Sequence, residues 1–146
     1  METRQLLEIS KEVLSLAEIA KAEGHNNIQT LVAEFRSGKN RFLKEGEVLL
    51  GAFVDDELVG IGGLNVDPYE TEDIVARVRR LYVLPDFRRR GIATRLMRQI
   101  ERKAAQHFRR IQLYTNSGSA SQFYSRLGYS KVSDRRKVSH EKRLDA

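Results

Sequence analysis

The sequence feature that most constrains the fold is a strand–helix–strand unit between Ile74 and Thr115. Alternating and β-branched residues predict strands over Ile74–Val83 and Ile111–Thr115, with Pro85 ending the first. Between them, an apolar residue at every fourth position predicts a helix from about Ile92 to Phe108. Because strand–helix–strand connections are right-handed crossovers, this unit predicts a parallel strand pair covered by one helix.

Outside this unit the chain alternates predicted helices with predicted antiparallel strands. Helical spacing and turn residues predict helices over Val13–Ala22, over Asn27–Arg36, and from a capping box at Ser119–Gln122 to Gly128. Further strands are predicted over Thr3–Ile9, Glu47–Val54, Leu58–Val66, Lys131–Asp134 and Val138–Leu144, with a hairpin turn at Asp55-Asp56. The predicted fold class is a single α/β domain over residues 1–146, with a mixed, mostly antiparallel sheet of about six to seven strands flanked by about four helices.

Composition excludes several classes of protein. The chain has no cysteine, which excludes disulfide frameworks, thiolate zinc sites and thiol nucleophiles. Its three histidines, His25, His107 and His140, lack metal-ligand spacing, so we expect no metal site. No apolar run approaches the roughly 18 residues of a membrane span, and no signal-peptide core follows Met1, so we expect a cytoplasmic protein without membrane contact.

Positive charge is concentrated in one segment of the chain. The 26 basic and 20 acidic residues give a net charge of +6. Between Arg77 and Arg110 lie 12 basic and two acidic residues, a local net of +10, so the rest of the chain sums to −4. This unequal distribution predicts a surface that binds an anion.

The turn before the predicted central helix carries three consecutive arginines, Arg88, Arg89 and Arg90, followed by Gly91. Cations at a helix N-terminus are unfavourable by about 0.3–1 kcal/mol each, because that end of the helix dipole is positive. An anion docked on the free N–H groups would reverse the sign of this effect, and a glycine lets it approach the backbone closely. A P-loop is disfavoured because no GxxxxGK[ST] is present, and Gly60–Asn65 precedes no helix, unlike a dinucleotide fingerprint.

The residues around this turn resemble the signature of the GCN5-related N-acetyltransferase (GNAT) family. The stretch from Leu81 to Pro85, followed by Arg88-x-x-Gly91-x-Ala93, is similar to the family's Q/R-x-x-G-x-G/A motif after a strand. Downstream, Asn116, Phe123-Tyr124 and Gly128-Tyr129 resemble the family's following strand and helix. The strong match covers about a third of the chain.

The resemblance implies a GNAT-like fold and an N-acetyltransferase activity with acetyl-CoA as the acetyl donor. It implies that amides from Arg89 to Thr94 hold the pyrophosphate, and that the pantetheine arm lies where two strands part. The implied cofactor-binding residues are Leu81, Val83, Arg88, Arg89, Arg90, Gly91, Ile92, Ala93, Thr94 and Asn116. The Val83 amide would stabilise the oxyanion. Tyr124 would protonate the departing thiolate, at a cost of about 2 kcal/mol from reference pKa values.

The general base is the part of this site that the sequence leaves open. Many family members carry a glutamate six residues before the equivalent of Val83, and here that position is Arg77. The nearest carboxylates lie in the predicted loop before the strand, where any of them could act directly or through water. They are Asp67, Glu70, Glu72 and Asp73.

Three residues are candidates for contact with the acceptor, namely Arg77, Tyr82 and Glu72. An arginine facing the acceptor would favour an amine that also carries a carboxylate or phosphate. By strand alternation, we expect Arg77 and Arg79 on one face, with Val78 and Arg80 on the other.

Three functions are consistent with these observations. The leading hypothesis is direct, acetyl-CoA-dependent transfer to a primary amine of a small molecule, with a protein amine as the second acceptor class. The basic stretch from Arg77 and the turn Arg135-Arg136-Lys137 could instead follow a nucleic-acid backbone. Nucleic acid is the disfavoured partner, because no aromatic-interleaved motif is present. The third hypothesis is a CoA-binding protein without catalysis. The acceptor, the length of the acyl chain and the oligomeric state, including a homodimer, stay open.

Overall fold

The computed structural model describes residues 1–72 and 74–144, and the candidate base Asp73 lies outside the described residues. Within these residues seven strands form one sheet in the order β1-β2-β3-β4-β5-β7-β6. The strands are β1 (Glu2–Gln5), β2 (Val48–Val54), β3 (Glu57–Val66), β4 (Val75–Val83), β5 (Arg110–Leu113), β6 (Ser130–Lys131) and β7 (His140–Arg143). The helices are α1 (Lys11–Ala22), α2 (Asn27–Ser37), α3 (Ile92–Ala104) and α4 (Gly118–Arg126), and a 3₁₀ turn covers Pro85–Phe87.

The sheet is mostly antiparallel, and β4 and β5 form its parallel pair. β2 and β3 are joined at Asp55 and Asp56, whose φ angles of 50° and 63° are those that a two-residue hairpin turn requires. α3 connects β4 to β5, so the predicted strand–helix–strand unit is confirmed. The predicted fold class, a mixed and mostly antiparallel sheet flanked by four helices, is confirmed as well.

Two hydrophobic cores lie on opposite faces of the sheet. α3 and α4 cover one face, where Ile100 is fully buried, and α1 and α2 cover the other, where Leu31 is buried. Neighbouring residues of β2 alternate between them, with Leu50 in the first core and Leu49 in the second. None of the helices in the described part of the chain is long and apolar enough to cross a lipid bilayer.

Several element boundaries differ from the prediction. α3 ends at Ala104 rather than Phe108, because the His107 N–H donates to the Ala104 carbonyl at 3.0 Å and tightens the last turn. Phe108 still packs into the first core, which explains why the apolar stripe extends that far. α4 is capped by Ser117, whose Oγ accepts from the Ala120 amide at 3.3 Å, and not by the predicted capping box. The strands β1, β5, β6 and β7 are shorter than predicted.

β4 contains a bulge that strand alternation did not predict. Two of its residues, Arg80 and Leu81, lie opposite the single β3 residue Gly62, and Arg80 has a φ of 62°. The bulge turns the Arg80 side chain towards α2, where it donates to Glu34 at 3.1 Å. The prediction that Arg80 and Arg79 lie on opposite faces is therefore wrong, because a bulge resets the alternation and both side chains line one cleft.

Candidate functional site

β4 and β5 separate after a short stretch of parallel pairing. Their pairing stops at Arg77 opposite Gln112. β4 continues to Val83, whereas β5 ends at Leu113. Within the described residues no strand pairs with this side of β4 beyond Arg77, so its backbone groups there, apart from the Val83 carbonyl that Arg88 occupies, can bind an extended ligand as an added strand would.

The N–H group of Val83 points into the gap that opens between β4 and β5 beyond Arg77 and Gln112. The next residue, Leu84, donates its N–H to the Val59 carbonyl of β3 at 2.8 Å, and successive residues of a strand direct their N–H groups to opposite sides. The Val83 carbonyl accepts from Arg88 Nε at 3.0 Å. The Val83 N–H therefore points to the side that β5 leaves open, and Leu81, two residues earlier, has the same orientation.

The turn before α3 presents free backbone N–H groups. Arg89 and Gly91 have φ angles of 64° and 79°, and such left-handed residues direct successive N–H groups to one side. No acceptor in residues 1–72 or 74–144 lies against the N–H groups from Arg89 to Thr94, and the Arg95 amide is the next to be bonded, to the Gly91 carbonyl. A Cβ on Gly91 would meet no atom within 4 Å, so an anion can reach these donors.

Two arginine side chains of this turn have partners away from the amides. Arg88 donates to both carboxylate oxygens of Glu23, at 2.8 and 3.0 Å, and Arg90 lies over the Phe87 ring at 5.1 Å. Glu23 also accepts from the Tyr82 hydroxyl. The Arg88 and Tyr82 hydrogen bonds hold the pKa of Glu23 below its ordinary value, so this carboxylate stays ionised and anchors the turn to the end of α1. Sequence analysis missed Glu23, because it lies 65 residues from Arg88 and no local pattern links the two.

A buried polar cluster contains two of the carboxylates that are candidates for the general base, Asp67 and Glu70. Asp67 accepts from Arg77 Nε and from Gln112 Nε2, both at 3.0 Å, and its own side chain is 0% exposed. Arg77 Nη2 is buried without a hydrogen-bond partner among the described residues. Glu70 lies at the edge of the cluster, 28% exposed, and accepts from Gln112 at 3.0 Å. Asp67 is thus enclosed, whereas Glu70 is within reach of solvent.

The three residues predicted to contact the acceptor are not brought together. Tyr82 belongs to the second core, where burial and the Glu23 hydrogen bond raise its pKa to about 12. Arg77 is 5% exposed and ion-paired with Asp67, so its charge is largely neutralised inside the protein. Glu72 is exposed in the loop before β4. Contact of these residues with an acceptor stays a prediction, and the placement of Arg77 and Tyr82 does not favour it.

Tyr124 lies on α4 and is 8% exposed. The rings of Phe123, Tyr129 and His140 surround it at centroid distances of 5.1, 5.6 and 6.1 Å. Burial raises the pKa of Tyr124 to about 12. Its hydroxyl has no hydrogen-bond partner within the part of the chain that the structure describes. Asn116, the other predicted residue of this region, is exposed in the segment between β5 and α4.

An open cleft of about 980 Å³ lies on the α2 side of the sheet, beside the gap. It is bounded by the end of α2, the loop leading to β2, the end of β3 and the β4 bulge. The charged side chains that line it are Lys39, Arg41, Lys44, Arg79, Arg80, Glu34 and Glu47. Because β4 and β5 separate directly after Arg77, Arg79 and Arg80 lie where the gap between the two strands begins.

The described residues thus combine free N–H groups at the start of α3 with an unpaired edge of β4 where two strands part. The family model described as "Acetyltransferase (GNAT) domain" matches residues 45–131. The chain belongs to the GNAT acetyltransferase family, and the family prediction made from the sequence is confirmed. An aminoglycoside N(6')-acetyltransferase type 1 from Klebsiella aerogenes is 34% identical over 97 residues, which cover 64% of this chain and 59% of that protein. The matched part is thus about three fifths of that relative's length.

Solved structures of similar fold span almost the whole chain. A candidate acetyltransferase from Exiguobacterium sp. 255-15 superposes with a TM-score of 0.83 at 24% identity, covering 98% of this chain and 94% of that one. A GNAT-family acetyltransferase from Staphylococcus aureus Mu50 gives 0.79 at 17% identity, covering 99% of each. An aminoglycoside 6'-N-acetyltransferase in complex with coenzyme A gives 0.73 at 16% identity, covering 100% and 98%. At these identities the likeness shows the fold.

Proposed function

We propose that this chain transfers the acetyl group of acetyl-CoA directly to a primary amine. The observation that carries the proposal is the open edge of β4 at Val83 beside the free N–H groups from Arg89 to Thr94. The two features suit the two parts of the donor. A pyrophosphate needs convergent N–H donors, and the amides of a pantetheine arm can pair with a strand edge. The acceptor, a small-molecule amine first and a protein amine second, would approach from the cleft on the α2 side.

The donor is assigned mainly to backbone groups. The pyrophosphate is assigned to the N–H groups of Arg89, Arg90, Gly91, Ile92, Ala93 and Thr94, and the pantetheine arm to Leu81, Val83 and Asn116. Arg88 is different, because its guanidinium already binds Glu23 and the Val83 carbonyl. We therefore assign Arg88 the role of fixing the turn relative to β4, with its side chain directed away from the phosphates.

The chemistry of transfer needs an oxyanion donor and an acid. The Val83 N–H would donate to the thioester oxygen as the amine nitrogen forms its bond to the carbonyl carbon. As the C–S bond breaks, Tyr124 would give its proton to the thiolate, and the proton that the attacking nitrogen loses on becoming an amide would restore the phenol. With a pKa of about 12, this step costs about 5 kcal/mol against a thiolate of reference pKa about 8.5, more than an ordinary tyrosine would need. The same apolar surroundings also raise the pKa of the CoA thiol, so the pKa difference between Tyr124 and the thiol, and with it the cost of the proton transfer, becomes smaller.

The acceptor ammonium must lose a proton before it attacks, which costs about 4.6 kcal/mol at pH 7 for a lysine-like amine. We assign this proton to Glu70, acting through water, because it is the partly exposed member of the polar cluster where the strands part. Asp67 is enclosed and bonded to Arg77. Glu70→Gln should lower kcat/KM near neutral pH. A larger loss in Glu72→Gln would move the role to that residue.

Two further sequence predictions belong to this proposal. A cytoplasmic location fits an enzyme whose donor is acetyl-CoA, a metabolite of the cell interior.

A homodimer is supported by the position of β1 at the edge of the sheet, with Leu7 beside it 65% exposed. Light scattering at increasing protein concentration would measure the assembly directly.

Thermal unfolding with added ligand tests donor binding. Acetyl-CoA at 100 times its Kd should add about 2.7 kcal/mol to the free energy of unfolding, and double-stranded DNA should add none. Gly91→Ala should weaken this stabilisation, because a φ of 79° strains an alanine by about 1–2 kcal/mol and a Cβ would stand in the anion's approach. Gly38→Ala carries the same strain, with a φ of 82° at the end of α2, and should leave the acetyl-CoA Kd unchanged.

A thiol-release assay with a panel of amines then separates an acetyltransferase from a CoA-binding protein without catalysis. Amine-dependent release of free CoA, together with the acetylated amine seen by mass spectrometry, would establish transfer. Binding of acetyl-CoA with no amine-dependent release across the panel would favour the non-catalytic alternative. Stabilisation by DNA and none by acetyl-CoA would overturn the proposal altogether.

A further inference from the structure

We infer that the acceptor amine also carries an anionic group, a carboxylate or phosphate, which Arg79 and Arg80 bind. This inference rests on the proposed function, since it concerns the acceptor of that reaction. It moves the anion-binding role from Arg77, which Asp67 neutralises, to the cleft beside the β4 bulge. There Arg79 has no ion pair among the described residues, and Arg80, which Glu34 already pairs, lies next to it.

The cleft has an excess of positive charge. Five cationic and two anionic side chains line it, which leaves a net charge of +3. Glu34 is bonded to Arg80 at 3.1 Å and lies 3.6 Å from Lys39, so its charge is already matched. The other carboxylate, Glu47, accepts from the backbone amides of Lys44 and Val66 at 3.1 and 2.9 Å. Neither carboxylate is free to bind a substrate ammonium group.

The arginines of the cleft have unused donors. Arg80 Nε is buried without a hydrogen-bond partner among the described residues. Arg79 forms no ion pair or side-chain hydrogen bond in residues 1–72 and 74–144. Arg41 uses its Nε on the Phe35 carbonyl at 2.9 Å, which leaves its terminal nitrogens for another acceptor. The accessible donors of Arg79 and Arg41 can form charge-assisted hydrogen bonds to an anion bound in the cleft.

The bulge explains why two consecutive arginines can act together. In a regular strand, Arg79 and Arg80 would point to opposite faces of the sheet. The left-handed Arg80, with a φ of 62°, places both side chains on the cleft. They lie three and four residues before Val83, which corresponds to roughly 10–13 Å of strand. The anionic group is therefore expected several bonds away from the amine that is acetylated.

This charge argues against the acceptor class of the curated relative. An aminoglycoside, the acceptor in that relative's name, carries several ammonium groups. A cleft with a net positive charge and, among the residues that the structure describes, no free carboxylate repels such a polycation. The same charge attracts a zwitterionic or anionic amine, so charge alone separates the two classes.

The experiment compares ω-amino acids of increasing chain length with their primary amides, which differ only in the anionic group, and with kanamycin. Binding to the CoA-loaded protein is measured by calorimetry, and KM is measured by thiol release. We expect an amino acid of suitable length to bind about tenfold or more tightly than its amide, as charge-assisted hydrogen bonds imply. Arg79→Gln should abolish this preference, and Arg79→Lys should restore part of it. Arg36→Gln removes the same charge from an exposed α2 position outside the cleft and should keep the preference.

Equal affinity for acids and amides, or tighter binding of kanamycin than of any ω-amino acid, would overturn the inference. A preference that survives in Arg79→Gln would also overturn it. If the preference is present in calorimetry but no amine is acetylated, the anion site stands and the proposed reaction fails. The two claims can therefore fail separately.

Discussion

At the scale of single residues, Tyr124 is held in the state that an acid catalyst needs. Its burial on α4 keeps the phenol neutral well above physiological pH, because its pKa is raised to about 12. The hydroxyl has no partner in the described part of the chain, so its proton is not committed to another acceptor.

Replacing Tyr124 by phenylalanine should lower kcat by on the order of 10²-fold and leave the acetyl-CoA Kd unchanged, because only the proton donor is lost. The matched control is Tyr129→Phe, which also removes a buried hydroxyl, but one that donates to Glu101 at 2.8 Å. This control should lose stability and keep its kcat. Steady-state kinetics with calorimetry measures both variants, and an unchanged kcat in Tyr124→Phe would remove Tyr124 from the mechanism.

His140 gives a prediction for acidic pH. His140 is 3% exposed, and its ring is hydrogen bonded to Ser121 and Ser139, each at 2.9 Å. Burial is the main reason that the pKa of His140 lies below 6.5, and the positive charge of nearby Lys131 lowers it further. Below about pH 6.5 the unfolded chain therefore binds a proton that the folded chain does not. The free energy of unfolding should fall as the pH drops from 6.5 towards the lowered pKa.

Urea unfolding between pH 7.5 and 5 tests this prediction. His140→Gln should lose part of the fall, since glutamine can still hydrogen bond but does not titrate. Equal slopes in the wild type and His140→Gln would contradict the prediction.

At the scale of elements, β4 connects the parts of the site. One side of its end is unpaired beyond Arg77 among the described residues, and its bulge directs two arginines towards the cleft on the α2 side. The neighbouring strand β3 makes this arrangement possible with Gly62 and Gly63. A Cβ on Gly63 would lie 2.5 Å from the Phe42 ring, so Phe42 and the cleft loop depend on a bare backbone there.

Gly63→Ala should therefore destabilise the protein by about 1–3 kcal/mol, as overpacking of a filled core does. Gly118→Ala is the control, because a Cβ at this first residue of α4 meets nothing within 4 Å and alanine favours the helix. It should be neutral or stabilising. Chemical denaturation measures both, and a neutral Gly63→Ala would show that the Phe42 ring can move aside.

At the scale of the whole molecule, charge is divided between two surfaces. The chain has a net charge of +6, and its basic central segment contributes to both the turn before α3 and the cleft beside β4. Both ligands of the proposed reaction would then approach a positive surface. Arg88, Arg77 and Arg80 do not add to this field in full, because each is paired with a carboxylate.

Donor affinity should consequently fall as salt is raised, because ions screen the attraction between the basic turn and the phosphates. Calorimetry of acetyl-CoA binding at increasing sodium chloride measures the effect. S-acetylpantetheine, which lacks the phosphates, should bind more weakly and with little dependence on salt. A salt-independent acetyl-CoA Kd would place the phosphates away from the basic turn.

Much of this architecture can be predicted from local patterns in the sequence. Apolar spacing predicted three of the helices and the central strand–helix–strand unit, since a buried face must repeat with the period of its element, and a capping box predicted the fourth helix. The Arg88–Gly91 turn predicted an anion site for an equally local reason, the free N–H groups of a helix start. Element ends were predicted less well, because a single side chain such as Ser117 can cap a helix in place of Ser119.

The sequence by itself determined the class of the fold and the family, because both depend on residues close together in the chain. Only the tertiary structure decided which charges are available. Asp67 neutralises Arg77, Glu23 holds Arg88 from 65 residues away, and a bulge turns Arg80 into the cleft. These outcomes depend on contacts between distant segments and on one left-handed residue, neither of which leaves a periodic signal in the sequence.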